Sequence, residues 1–288
     1  MTPASVTAFC PGHISGYFRR VDGHDPATTG SIGAGIVISE GVTATVRSSP
    51  YSSVVVRVRS PEGTAREISR TAPPLSFALD RLGVTVAVET VCRLPIGAGF
   101  GLSAAALLAT LSATNRLLAL DLGADAIAEL AHETEVTFRT GLGDVAACQG
   151  GGRVVRTGPG IHGTILRSFD LDAPVCAVSF GPIHTPDVLS SPAQMARVAA
   201  AFPGRQPKNF REFFACCREF SAGSGLETPA VQRVLAECDL QGIPAAMTML
   251  GDGVFAYGER ACDALRPFGE VYRMGMADAG VRVVESAA

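Results

Sequence analysis

Pro95-Ile96-Gly97-Ala98-Gly99-Phe100-Gly101-Leu102-Ser103-Ala104-Ala105-Ala106 separates two segments of opposite character. Before it, Val84 to Cys92 is apolar and β-branched. After it, an unbroken Ala/Leu-rich segment runs from Ala104 to Leu120. The order is strand, glycine loop, helix start. Alternating glycines let the backbone turn tightly and bring its N–H groups close to a ligand with no Cβ in the way. The first turn of the helix adds unpaired N–H groups and the positive end of the helix dipole. The combination suits an anion, most often a phosphate. Ser103 stands where the helix begins, so its hydroxyl can cap the helix or reach a phosphate-bound Mg²⁺. The alternative is a plain tight strand-to-helix turn, although three glycines in five residues exceed what a turn requires.

Two other phosphate-binding patterns are tested by the same stretch. A P-loop ends in Gly-Lys-Ser/Thr, and the single lysine of this chain, Lys208, is far away in sequence. A P-loop NTPase, a protein kinase with its strand lysine and a Ser-x-x-Lys acyl enzyme are all disfavoured. Gly99 to Ala104 does satisfy G-x-G-x-x-A, and Asp121 lies where a ribose-binding acid would sit in a dinucleotide fold. That reading, a non-catalytic NAD(P)-binding protein, needs a strand before Asp121, and the residues there favour helix.

Composition bounds the rest. The chain has 288 residues, 47% hydrophobic and 18% charged, enough for a large core in one large or two closely packed domains. A net charge of −3 argues against a nucleic-acid or membrane-surface binder. Eight cysteines without a C-x-x-C pair suggest neither zinc nor a disulfide framework, but reduced, mostly buried thiols of a cytoplasmic protein. The apolar run Ala104 to Leu111 is too short to span a membrane.

Along the chain, Ser5 to Cys10 reads as a strand running into a loop, Pro11-Gly12-His13-Ile14-Ser15-Gly16-Tyr17-Phe18. Asp25 to Gly35 is a second small-residue loop. Gly35 to Val46 alternates as a half-buried strand, and Ser53 to Arg59 as an edge hairpin with Arg57 and Arg59 in water. Arg66 to Leu82 reads as helical after Pro73-Pro74, and Ala124 to Val136, Ser191 to Ala201, Asn209 to Gly223 and Thr228 to Asp239 read as helices. The Phe210, Phe213, Phe214, Cys217 stripe reads as core. Arg139-Thr140-Gly141-Leu142-Gly143-Asp144 is the second constellation. A carboxylate after a Gly-rich turn with another on the preceding helix suits Mg²⁺ and a base beside a hydroxyl, but Asp144 equally suits a helix N-cap. Gly158-Pro159-Gly160 marks a boundary, giving segments 1–157 and 158–288. Ala173 to Phe180 and Ala245 to Ala256 add strands, with Asp252-Gly253 a hairpin turn.

Four of these stretches together resemble the GHMP kinases, in which a glycine-rich loop wraps the nucleotide phosphates. The closest likeness is to the archaeal pantoate kinase branch: Pro11 to Phe18, Gly99-Phe100-Gly101-Leu102-Ser103, Ala131-His132 through Asp144, and Met247-Thr248-Met249-Leu250-Gly251 onward. The resemblance implies an α+β fold in which an N-terminal ribosomal-S5-like domain packs on a C-terminal ferredoxin-like one. It further implies ATP, Mg²⁺ and a small hydroxyl acceptor, pantoate, in a homodimer. Pro95, Gly97, Ala98, Gly99, Phe100, Gly101, Leu102, Ser103 and Ala104 would then bind ATP, and Ser103 and Glu135 the metal, with Glu133 second to Glu135. Asp144 would orient or deprotonate the acceptor hydroxyl. His13, Ser15, Gly16, Ser31, Thr140 and Gly141 would line the acceptor site, and one of Arg19, Arg20, Arg139 and Arg153 would meet its carboxylate. Homoserine and mevalonate are the alternative acceptors.

Overall fold

Alternating apolar residues over the first fifty positions build two long antiparallel strands, β1 (Ser5–Val21) and β2 (Gly30–Ser48), in a computed structural model that describes residues 4–287. They pair along nearly their whole length, with register shifts at Pro11/Gly12 and Ser15/Tyr17. The Pro11 to Phe18 segment is therefore strand, not loop; the bulges re-aim its side chains without ending the ladder. Ser31 and the glycines after it likewise lie in β2, and only the residues before Gly30 form the turn.

β3 (Ser53–Arg59) and β4 (Ala65–Ser69) form a hairpin, followed by α1 (Pro73–Arg81) and β5 (Val86–Cys92). The helix expected after the proline pair begins at Pro73, because two prolines fit its first turn, where no N–H is needed, and hinder a helix running up to them. β3 pairs β5 in parallel, so β4 rather than β3 is the edge. Arg57 is consequently half-buried and donates to Glu89 at 3.2 Å, whereas Arg59 stays in water.

The helix after the glycine loop is α2 (Leu102–Leu118), and α3 (Ala124–Phe138) and α4 (Asp144–Cys148) follow. Ala119 and Asp121 both adopt left-handed backbone, φ 49° and 54°, so α2 ends in a turn and no strand precedes Asp121. The dinucleotide fold is thereby excluded. β6 (Arg153–Arg156) pairs the first half of β2, and β7 (Ile165–Ser168) pairs β6.

A second sheet is built from β8 (Val175–Pro182), β9 (Ala245–Met247), β10 (Gly251–Tyr257) and β11 (Val271–Met274), in the order β11-β8-β10-β9. Around it lie α5 (Thr185–Ser190), α6 (Pro192–Ala201), α7 (Phe210–Ser224), α8 (Pro229–Leu240) and α9 (Ala261–Leu265). The last strand, β12 (Arg282–Ala287), returns to the first sheet beside β1, in the order β12-β1-β2-β5-β3-β4. The architecture is α+β.

One core joins the parts. α2 is buried on most sides against β1 and β2, which its Ala/Leu composition allows. The aromatic face of α7 is core, as the stripe implied: Phe213 and Phe220 are fully buried, and Phe220 meets Phe18 of β1 edge-to-face at 5.8 Å.

Two local expectations fail for identifiable reasons. The β9–β10 turn is made by Thr248 to Leu250, with Leu250 at φ 62°, and Asp252 lies within β10. There it accepts a 2.7 Å hydrogen bond from the hydroxyl of Thr228, the N-cap of α8. Cys176 and Cys262 are disulfide-bonded, their Cα atoms 5.3 Å apart, because β8 and α9 are neighbours although 86 residues separate the cysteines. The other six cysteines are buried thiols, as expected. Among the described residues no helix is long and apolar enough to cross a membrane.

Candidate active site

The glycine loop takes the shape its glycines permit. Gly97, Gly99 and Gly101 have φ of 79°, 83° and 61°, a region strained for any residue with a Cβ. Space is equally restrictive: a Cβ on Gly99 would come within 2.8 Å of the Met249 carbonyl oxygen. Gly101 is the N-cap of α2, and no side chain caps the helix. The N–H groups at its first turn are thus left for another acceptor. Ser103 is one residue inside the helix rather than its cap. Ala98, Phe100 and Ala104 bury their side chains in the core, so only their backbones can serve a ligand.

This loop forms one end of an open cleft of about 590 Å³. Ser15, Ser103, Glu135, Thr140 and Asp144 also line it, as do the apolar side chains of Val56, Ile68, Pro74 and Leu75. A glycine loop with free helix-start amides and apolar walls in one cleft suit the two halves of a nucleotide, its phosphates and its base.

Glu135 comes from the last turns of α3. Arg139 ends that helix in left-handed conformation, φ 56°, folding Thr140 back so that its hydroxyl donates to Glu135 Oε1 at 2.9 Å. Glu133 points elsewhere, to an ion pair with Arg81 on the surface. Burial first, then the neighbouring negative charge of Asp144, pushes the Glu135 carboxyl up to about 8, against the stabilising hydroxyls of Ser103 and Thr140.

Asp144 opens α4 but does not cap it; Gly143 is the N-cap, and no side chain bonds the helix start. Its Oδ1 accepts from His13 Nδ1 at 2.7 Å. Burial would raise its pKa, but the His13 hydrogen bond and the Arg156 charge prevail and hold it below the ordinary carboxylate range. Gly141 separates the two carboxylates. A Cβ there would overlap Glu135 Oε2 and lie 3.0 Å from Asp144 Oδ2, so both oxygens face the space its missing side chain leaves. The two carboxylates and the Ser103 hydroxyl, which bonds Glu135, make an oxygen donor set of the kind preferred by a hard divalent cation that also takes ligands from phosphates.

The remaining expected acceptor residues divide. Ser15 reaches the cleft. His13 is fully buried behind Asp144. Gly16 faces away, its open side filled by Cys217 and Phe213. Ser31 is buried, and its hydroxyl accepts from Arg156 at 3.3 Å.

Arg156 is the residue that sequence reasoning missed. It is 3% exposed, donates to the Gly143 carbonyl at 2.7 Å, and leaves its Nε without a partner. Arg153, three residues earlier on the same strand, points to the opposite face and is paired with Asp170 through two hydrogen bonds, 3.0 and 2.9 Å. Strand parity was the available signal: only one of the two arginines can face the site. Arg139 bonds Ser190, Arg20 pairs with Asp22, and Arg19 stacks over Phe202. A buried imidazole, His132, lies beside the Thr29 carbonyl at 2.8 Å.

The raised Glu135 pKa has a stability consequence in the ligand-free protein. The folded state keeps a proton that the unfolded chain releases from its ordinary 4.5 upward, so stability present at low pH is lost as pH rises towards about 8. The loss approaches ~1.4 kcal/mol per pH unit for one proton. Urea unfolding without nucleotide or Mg²⁺ at pH 6 and pH 8 is expected to show wild type weakening over that interval and Glu135→Gln weakening much less.

Comparison with known proteins gives this geometry its lineage. Residues 63–152, from β4 through the glycine loop to the carboxylate pair, match the GHMP kinases N terminal domain. A pantoate kinase of Methanospirillum hungatei is 46% identical over 97% of this chain and 96% of its own. One from Thermococcus kodakarensis is 33% identical over 87% of each. A solved structure described as a phosphotransferase related to the CoA biosynthesis pathway superposes with a TM-score of 0.78, at 24% identity over 97% of this chain and 98% of that one. Sequence likeness thus spans both sheets, and the chain belongs to the pantoate kinases of the GHMP superfamily.

Proposed function

We propose that the protein transfers the terminal phosphoryl group of ATP to the hydroxyl of pantoate, forming 4-phosphopantoate for coenzyme A synthesis. The observation that carries this reading is the meeting, in one cleft, of a phosphate-type glycine loop with the Asp144–Glu135 pair. The near full-length likeness to a pantoate kinase supports the acceptor.

Positioning and charge do the work in such a transfer. Backbone amides from Gly97 to Ala104 would hold the phosphates. Ser103 and Glu135 would hold Mg²⁺, whose charge would offset that of the phosphates. Asp144, kept ionised by its neighbours, accepts a hydrogen bond from the acceptor hydroxyl, aims its oxygen, and takes its proton as the bond to phosphorus forms. Arg156 is fixed by Gly143 and Ser31 while its Nε has no partner, and a carboxylate is the natural acceptor for a guanidinium fork. On this assignment Arg156→Lys raises KM for pantoate by about tenfold or more, since one lost charge-assisted hydrogen bond is worth ~1.5–3 kcal/mol, and leaves ATP affinity unchanged. Steady-state kinetics with each substrate varied, alongside ATP titration, checks it.

The test of the whole reading is Mg²⁺-dependent ADP release with pantoate, mevalonate or homoserine supplied separately. Release with pantoate alone supports it. Release only with another acceptor keeps the kinase and discards the substrate.

A further inference from the structure

We propose that His13 is a positioning residue, the strut that fixes the carboxylate of Asp144 and the phosphate loop against each other. The inference rests on the role given above to Asp144.

The two ends of His13 do different things. Its backbone N–H donates to the Phe100 carbonyl at 3.0 Å, and its carbonyl lies so close to Gly101 that a Cβ there would come within 2.9 Å of it. Main chain therefore meets main chain where β1 crosses the glycine loop. Its side chain reaches the other way, to Asp144 Oδ1 at 2.7 Å. One residue, set in the longest strand pairing of the fold, thus references the nucleotide loop and the acceptor carboxylate to a common point.

The imidazole has no access to a ligand. It is 0% exposed, and its Nε2 has no hydrogen-bond partner. The far edge of the ring presses on Gly35 of β2, where a Cβ would overlap Nε2 and lie 2.8 Å from Cε1. A buried N–H without an acceptor is costly, so the single proton belongs on Nδ1, where the Asp144 carboxylate receives it. Burial, with lesser contributions from Arg156 and Arg167, also favours the neutral ring over the cation, against the pull of Asp144. His13 is thus a neutral, one-sided donor. By occupying Oδ1 it leaves Oδ2 turned towards the space beside Gly141 and Glu135.

Side-chain length then becomes diagnostic, because an asparagine amide lies where Nδ1 lay and a glutamine amide reaches a bond further. His13→Gln and His13→Leu are expected to lower kcat about 100-fold, the effect of misplacing a reacting group by ~1 Å, with KM for ATP little changed because the backbone clamp survives. His13→Asn is expected to recover kcat to within about tenfold of wild type. Imidazole ¹⁵N spectra of the wild-type protein should show a protonated Nδ1 and a bare Nε2. Equal loss in the Asn and Gln variants, wild-type kcat in the Leu variant, or the opposite tautomer would each overturn the inference. Asp144→Ala serves as the reference. If it turns over normally, the reading of Asp144 has failed. If it is inactive while His13→Leu is not, only the strut is wrong.

Discussion

Asp144→Ala is expected to bind ATP as wild type does and to lose turnover by about three orders of magnitude, within the 10²–10⁴ range of a general base. The two halves of that expectation come from different contacts. The loop amides belong to residues 97–104, and none of the glycines there owes its conformation to the Asp144 side chain. Nucleotide affinity measured by calorimetry should therefore hold. The acceptor hydroxyl, by contrast, loses the one cleft-facing carboxylate held in the ionised form, since Glu135 is pushed towards neutrality. Removing Asp144 also removes the charge that helps raise Glu135, so the variant should bind Mg²⁺–ATP no worse. Wild-type-like kcat would remove Asp144 from the chemistry. A parallel collapse of ATP affinity would move it into nucleotide binding.

Gly251→Ala is expected to weaken ATP binding at least about fivefold although the residue's own role is packing. Its Cα lies under the glycine loop, and a Cβ would overlap the carbonyl of Ala98 and come within 2.7 Å of the Gly99 nitrogen. These are backbone atoms, so no rotamer change relieves the clash. Either the loop lifts away, spoiling the alignment of its N–H groups, or β10 shifts and disturbs its pairing with β8. Overpacking of this kind costs ~1–3 kcal/mol, about five- to 150-fold if it falls on the phosphate site. Comparing the shift in Tm of the ligand-free protein with the change in ATP Kd separates the outcomes. A loss of Tm with unchanged Kd would mean that the loop is held by other contacts.

Much of the site was legible because it is written in local patterns. The strand–glycine–helix order around Gly97 to Ser103, and the turn that brings Thr140 onto Glu135, depend on residues within a few positions of one another. Glu135 rather than Glu133 follows once helix facing is known. The roles of His13, Asp252 and Arg156 were not legible, because each is decided by a partner far along the chain: Asp144, Thr228 and Gly143 with Ser31. Pro11 to Phe18 misread as a loop for a related reason. Gly, Pro and Ser disfavour a strand on their own, but a partner as long as β2 overrides local preference. Cys176 and Cys262 likewise became neighbours only through the packing of α9 on β8.

The return of β12 to the flank of β1 bears on how the protein is made. Ser5 to Phe9 pair on one side with residues 282–287 and on the other with β2. During synthesis from the N-terminus, β1 and β2 can zip together early, but the outer ladder of β1 stays open until residues 282–287 have left the ribosome. An unpaired, apolar strand edge is a template for intermolecular pairing. The strand that carries His13 thus waits until late for its second partner, and contacts between such distant segments form slowly. Truncations that remove β12 should therefore yield aggregation of nascent or refolding chains before they yield any defect in the cleft itself.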